Sequence, residues 1–140
     1  MKLKARILLF DKVNSSGDMF PNNCKLTIPD KVPLLWNFEQ DKPPFGIAEV
    51  TRDEFGLIAI VEMIDTTYIS EELLKILFDT YPIGAGGYYN KIKYDKLHEN
   101  TDLRVIEEAT LVSISMTLTP VRDEYVFHIM KEWYLWLMNY

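Results

Sequence analysis

Side chains able to do chemistry are few in this 140-residue sequence, and they are scattered. His98 and His128 stand far apart, neither has a partner at metal-ligand spacing, and Cys24 is the one cysteine, so local spacing assembles no imidazole or thiolate cage. We expect no metal site and a solvated or structurally satisfied place for each histidine. Glu71-Glu72 and Glu107-Glu108 are adjacent carboxylates whose side chains diverge on a strand or a helix alike, so neither pair forms a shared acid/base site. Gly84-Ala85-Gly86-Gly87 lacks the Lys-Ser/Thr of a P-loop and the dinucleotide G-x-G-x-x-G pattern, and a backbone turn suffices to explain it. No cofactor is expected. Ser113 and Ser115 are two residues apart and share a face if their segment is a strand, yet neither has a histidine predicted nearby.

The elements that must position these residues fit one domain spanning 1–140, a length able to bury a real core. Hydrophobic residues at 48% and charged residues at 26% match globular usage and exclude an intrinsically disordered chain. Fifteen Lys and Arg against 21 Asp and Glu leave a net charge of -6, and Asp95 and Glu99 interrupt the cluster Lys91, Lys93, Lys96, so nucleic-acid binding is disfavoured. A lone cysteine excludes an intrachain disulfide and suits a reducing interior. The apolar stretch Ile7 to Phe10 is too short for a signal-peptide core, and no stretch reaches the roughly 18 apolar residues of a membrane span. We expect no targeting segment and no membrane partner.

Leu3 to Phe10 reads as a strand, followed by turn chemistry at Asn14-Ser15-Ser16-Gly17-Asp18 and a loop to about Pro29. Val32 to Phe38 is a candidate strand that Pro43-Pro44 lies beyond. Gly46 to Arg52 and Leu57 to Ile64 form a hairpin whose connector places Gly56 where positive φ is needed. Ser70 caps a helix to about Tyr81 with Leu73, Leu74, Leu77 and Tyr81 on its apolar side. The glycines then break the chain, Tyr88 to Tyr94 resumes as a strand, and Leu103 to Thr119 is a late core strand ended by Pro120. Between Tyr125 and Tyr140 only His128, Lys131, Glu132 and Asn139 are neither apolar nor aromatic, and they fall on one stripe at helical spacing, which predicts a helix over about 123–140. The fold class is therefore α+β, mainly β, with a C-terminal helix.

Taken in order, Phe10, Val13-Asn14-Ser15-Ser16-Gly17-Asp18, Val32-Pro33-Leu34-Leu35-Trp36-Asn37, Pro44-Phe45-Gly46-Ile47-Ala48, Glu54-Phe55-Gly56-Leu57, Leu73-Leu74, Gly87-Tyr88 and Thr110 to Met116 resemble the head maturation (prohead) proteases of tailed bacteriophages, over about residues 5–122. The resemblance implies an assemblin-like fold, a small β-barrel flanked by helices. It also implies a histidine after the Leu-Leu-Trp-polar stretch, a serine nucleophile before the Gly-aromatic pair, and an acidic residue opening the late core strand. Those places hold Phe38, Ala85 and Ser113. A serine protease needs an attacking oxygen and a base to take its proton. Ala85 has no oxygen and Phe38 accepts no proton.

The resemblance thus implies a catalytically inactive homologue serving head assembly as a structural, scaffold or binding component, in the host cytoplasm during assembly or in the virion head. An active serine endopeptidase with a rearranged site, and a phage protein that binds a host partner, are the alternatives. A groove for an extended peptide can outlast the nucleophile, and Gly84, Gly86, Gly87 and Ser115 are its candidate residues. On the terminal helix, Val126, Ile129, Met130, Trp133, Leu137 and Tyr140 form a face that docks on the barrel, while Phe127, Tyr134, Trp136 and Met138 spread beyond it. We expect residues 125–140 to build a homo-oligomer or a hetero-complex with phage head proteins, with Tyr134, Trp136 and Met138 as the candidate interface.

Overall fold

Strand β1 (Lys2–Leu9) alternates charge with hydrocarbon, so one face carries Lys2, Lys4 and Arg6 and the other buries Leu3, Ala5 and Ile7. The computed structural model describes residues 2–63, 71–80, 82–96 and 102–130. In chain order, β1 is followed by β2 (Asp18–Met19), β3 (Lys25–Thr27), β4 (Val32–Trp36), β5 (Gly46–Arg52), β6 (Gly56–Met63), α1 (Glu71–Thr80), β7 (Gly84–Lys96), β8 (Arg104–Thr117) and β9 (Phe127–Met130). These strands form one mainly β, curled half-barrel sheet in the order β2-β8-β4-β5-β6-β1-β9, with β3 and β7 also joined to β8.

β8 organises one half of the sheet. Antiparallel β7 runs along nearly all of it, and β2, β3 and β4 pair in parallel with successive stretches of its other edge. The β5–β6 hairpin continues from β4, with Arg52 opposite Leu57 and Gly46 opposite Met63. Asp53 Oδ1 accepts from the N–H groups of Phe55 and Gly56, both at 2.9 Å, and closes the turn. Gly56 has φ 156°, and a Cβ there would lie 1.9 Å from the Leu8 carbonyl oxygen, so only glycine fits beneath β1. The core fills the concave side with Leu34, Phe45, Leu57, Val61, Ile114 and Met116.

Several expectations are corrected. The loop up to Pro29 contains β2 and β3, which are too short for a periodic signal and exist because β8 offers them an edge. β4 stops at Trp36 because Asn37 and Phe38 take φ of 47° and 60°. The glycine segment is no turn; β7 begins at Gly84. Among the described residues α1 is the one helix, so flanking helices are not confirmed; its Leu77 and Phe78 pack against the core. The helix over 123–140 is likewise not confirmed. Phe127–Met130 is a strand, with Ala5 opposite Phe127 and Lys2 opposite Met130, because the free edge of β1 supplies a ladder that helical spacing alone does not reveal. Phe127 is consequently core and does not spread beyond it. Residues 131–140 lie outside the described residues.

The two ends of the curl meet at Tyr125. Its carbonyl accepts from Ala85 N–H at 2.7 Å, and the Ile83 carbonyl accepts from Phe127 N–H at 2.8 Å, which ties the start of β7 to the segment entering β9. The buried Tyr125 hydroxyl accepts from Leu9 N–H at 2.8 Å, just past an irregularity in β1 between Arg6 and Leu8. Tyr125→Phe removes that acceptor and is expected to cost about 1–2 kcal/mol. A lower urea midpoint at unchanged m-value is the readout; a midpoint equal to the parent's would mean that the seam does not use the hydroxyl.

A bidentate pair, Arg6 Nη1 and Nη2 on the Asp53 carboxylate at 2.8 and 2.9 Å, ties β1 to the hairpin turn. The Arg6 hydrogen bonds, reinforced by the two turn N–H groups, hold the Asp53 carboxyl down at about 2. A folded pKa below the ordinary value contributes stability that is present above the ordinary carboxylate range and is lost as the pH falls toward 2. The Asp53 side chain is 36% exposed, so solvent screening limits the contribution to less than about 1 kcal/mol. In chemical denaturation Asp53→Asn should be the less stable protein near neutral pH, and the gap should close near pH 2; a gap independent of pH would contradict the ion pair.

Candidate functional site

Three segments remote in sequence meet where β4, β7 and β8 lie together. Leu35 stands opposite Ser115, and Gly86 stands opposite Ser115 from the other side. Beyond β4 the backbone turns sharply, and Phe38 N–H donates to Ser115 Oγ at 2.9 Å. The positive φ of Phe38 is unusual for a bulky residue. Its ring covers Gly86, where an added Cβ would lie 2.9 Å from Phe38 Cζ. Asn37 N–H donates to the Met116 carbonyl at 2.7 Å and fixes the same turn on β8.

These positions divide between the two faces of the sheet. Directly opposite residues share a face, and Ala85 pairs with Met116 while Tyr88 pairs with Ser113. Ala85 belongs to the inner core with Ile114 and Met116 and is fully buried. Ser113, Ser115 and Thr117 alternate with those residues and lie on the outer face, yet all three are buried. The structure therefore brings Phe38, Ala85 and Ser113 onto neighbouring segments but leaves Ala85 pointing away from the two serines. Of the groove candidates, Gly86 and Ser115 meet Phe38, and an added Cβ on Gly84 or Gly87 would stand 2.7 Å from Pro120 or 2.8 Å from Tyr89 Oη. Close packing is the demand that each of these glycines answers.

Other chemical groups disperse. His128 is exposed on β9 opposite Lys4. His98, Tyr134, Trp136 and Met138 lie outside the described residues. Burial raises the Cys24 thiol pKa despite the nearby Arg52, so the thiol is held protonated. The Asp95 carboxyl across the β7–β8 ladder raises the Glu107 carboxyl above its ordinary value; this cross-strand proximity was not readable from Glu107-Glu108. Among the described residues no three His, Cys, Asp or Glu side chains are grouped to hold a metal ion, and no helix is long and apolar enough to cross a membrane. Sequence reasoning also missed Tyr89, whose hydroxyl is buried without a hydrogen-bond partner among the described residues, as is that of Ser113.

No family model, curated protein or solved structure matches the chain.

The two outer serines should respond differently to removal of the hydroxyl. Ser115→Ala strands Phe38 N–H and is expected to destabilise by about 1–3 kcal/mol, whereas Ser113→Ala deletes an unpartnered oxygen and should be neutral or stabilising. Thermal denaturation of the pair decides it, and equal losses would contradict the difference in their hydrogen bonding.

Proposed function

We propose that this chain is a non-catalytic relative of the phage prohead proteases, acting in head assembly as a structural, scaffold or binding component. Support comes from the ordered sequence landmarks, from the mainly β curled sheet, and from the meeting of Phe38, Ala85 and Ser113 on adjoining segments. The observation that carries the reading is the Phe38 ring packed over Gly86 with its N–H on Ser115. Where the resemblance calls for a base, an apolar side chain is built into the fold. Hydrolysis also needs an oxygen placed on the reacting side. Ala85 offers a methyl group, and it faces the core.

On this reading the chain works by binding, with phage head proteins or a second copy as partner and the segment 125–140, apart from the buried Tyr125 and Phe127, as part of the contact. Mixing the purified full chain with head and scaffold proteins of its phage should give co-sedimentation without new fragments. Specific cleavage that persists after contaminating proteases are removed would reverse the proposal in favour of an active, rearranged endopeptidase. Failure to associate with any of them would remove the assembly role.

A further inference from the structure

The outer face of β5, β6, β1 and β9 leaves two isoleucines in solvent at the wall of an open cavity. Directly opposite residues share a face, so Ile47, Glu62, Lys2 and Met130 form one row across the four strands, and Glu49, Ile60, Lys4 and His128 form the next. Ile47 and Ile60 are 41% and 37% exposed. They line a cavity of about 380 Å³ together with Lys2, Lys31, Glu49 and Glu62.

The charges of that wall are already matched. Lys31 Nζ lies 2.9 Å from Glu49 Oε1, and Lys2 Nζ lies 3.6 Å from Glu62 Oε2. Balanced pairs select no charged ligand, so what the cavity offers an occupant is the hydrocarbon of Ile47 and Ile60. The sequence holds an occupant of that chemistry. Seven of residues 131–140 are apolar or aromatic, among them Trp133, Tyr134, Trp136 and Tyr140. They continue from Met130, which stands at the end of the Ile47 row.

We propose that residues 131–140 of a second copy dock on this face and that the exchange is reciprocal. The exchange rests on the binding reading above and names the surface that receives the segment. A return to its own face is disfavoured, because β9 runs antiparallel to β1 and leaves the sheet past Lys2. Residues 131–138 hold no Gly, Pro, Asn, Asp or Ser, the residues with which a chain usually reverses. A second copy makes no such demand. Each copy carries both the segment and the receiving face, so one twofold axis satisfies both at once. The four aromatic side chains of a segment offer about 150–250 Å² each, and two exchanged segments reach about 1,200–2,000 Å², the size of a stable interface.

Sedimentation of the full chain should show a dimer. Ile47→Lys with Ile60→Lys, both at exposed strand positions, should raise its dissociation constant by at least about 10-fold, the worth of one buried isoleucine. Isotope-filtered NMR on a mixture of labelled and unlabelled parent chains should connect the methyl groups of Ile47 and Ile60 to the indole protons of Trp133 or Trp136 in the other copy. These contacts decide the matter alone if the double variant does not fold. A monomer at every concentration would overturn the proposal, as would contacts confined to one copy, which would mean that the segment folds back. A dimer that lacks the filtered contacts would place the interface elsewhere and overturn it too. A dimer that shows them yet ignores head and scaffold proteins would remove the assembly role and leave the exchange standing.

Discussion

Tyr125 is the residue on which the curl of the sheet depends. A single side chain and its own carbonyl engage both ends of the structure: the hydroxyl takes Leu9 N–H at the end of β1, and the carbonyl takes Ala85 N–H at the start of β7. A sheet that curls must satisfy the backbone groups where its ends approach, because such groups cost free energy when they leave water unpaired. Here one tyrosine between the Arg122–Glu124 turn and β9 does so from inside the core, and the bonds on either side of it bring Ile83 and Phe127 together.

Closeness at that seam explains the composition of β7. Its first four residues, Gly84-Ala85-Gly86-Gly87, lie between β8, the Tyr125 segment, Pro120 and Phe38, where larger side chains do not fit. Farther along, the strand emerges, and its character changes to exposed Tyr88, Ile92 and Tyr94 interleaved with lysines. Lys91 has φ 50°, and the pairing with β8 slips between Asn90 and Lys93 and again before Tyr94. Lysines and bulges on an edge discourage uncontrolled strand addition. A partner adding to this edge would have to match a broken register.

The hairpin at 46–63 was legible because turn chemistry and β-rich runs agree, and the helix at 71–80 because the stripe and its capping signals agree. The glycines misled because lack of side chains reads locally as a breaker, while close tertiary approach makes it a requirement. The C-terminal stretch misled for a different cause. Apolar residues at helical spacing are also compatible with a strand when Phe127 is buried, His128 exposed and Ile129 partly buried. Only the long-range pairing to β1 decides between the periods. The division of Ala85 and Ser113 between opposite faces of the sheet was not legible in the sequence.

That division follows from one extra residue. Tyr88 stands opposite Ser113 and Tyr89 opposite Leu111, so Val112 has no place in the β7–β8 register and forms a bulge. Before it, Ala109 and Leu111 point inward; after it, Ile114 and Met116 do. A regular strand would have kept one parity and sent Thr110 and Glu108 into the core beside Ile114. The change of parity between Leu111 and Ile114 is visible in the sequence as two apolar series offset by an odd number of residues, a signal that simple alternation from Leu111 to Leu118 conceals. By absorbing Val112, the bulge sends Ser113 and Ser115 to the outer face toward Phe38 and sets Leu111 inside opposite Tyr89. The same local irregularity thus creates the outer serine face and turns Tyr89 inward, where its ring meets Phe20, so two arrangements on opposite faces of β8 share a single cause.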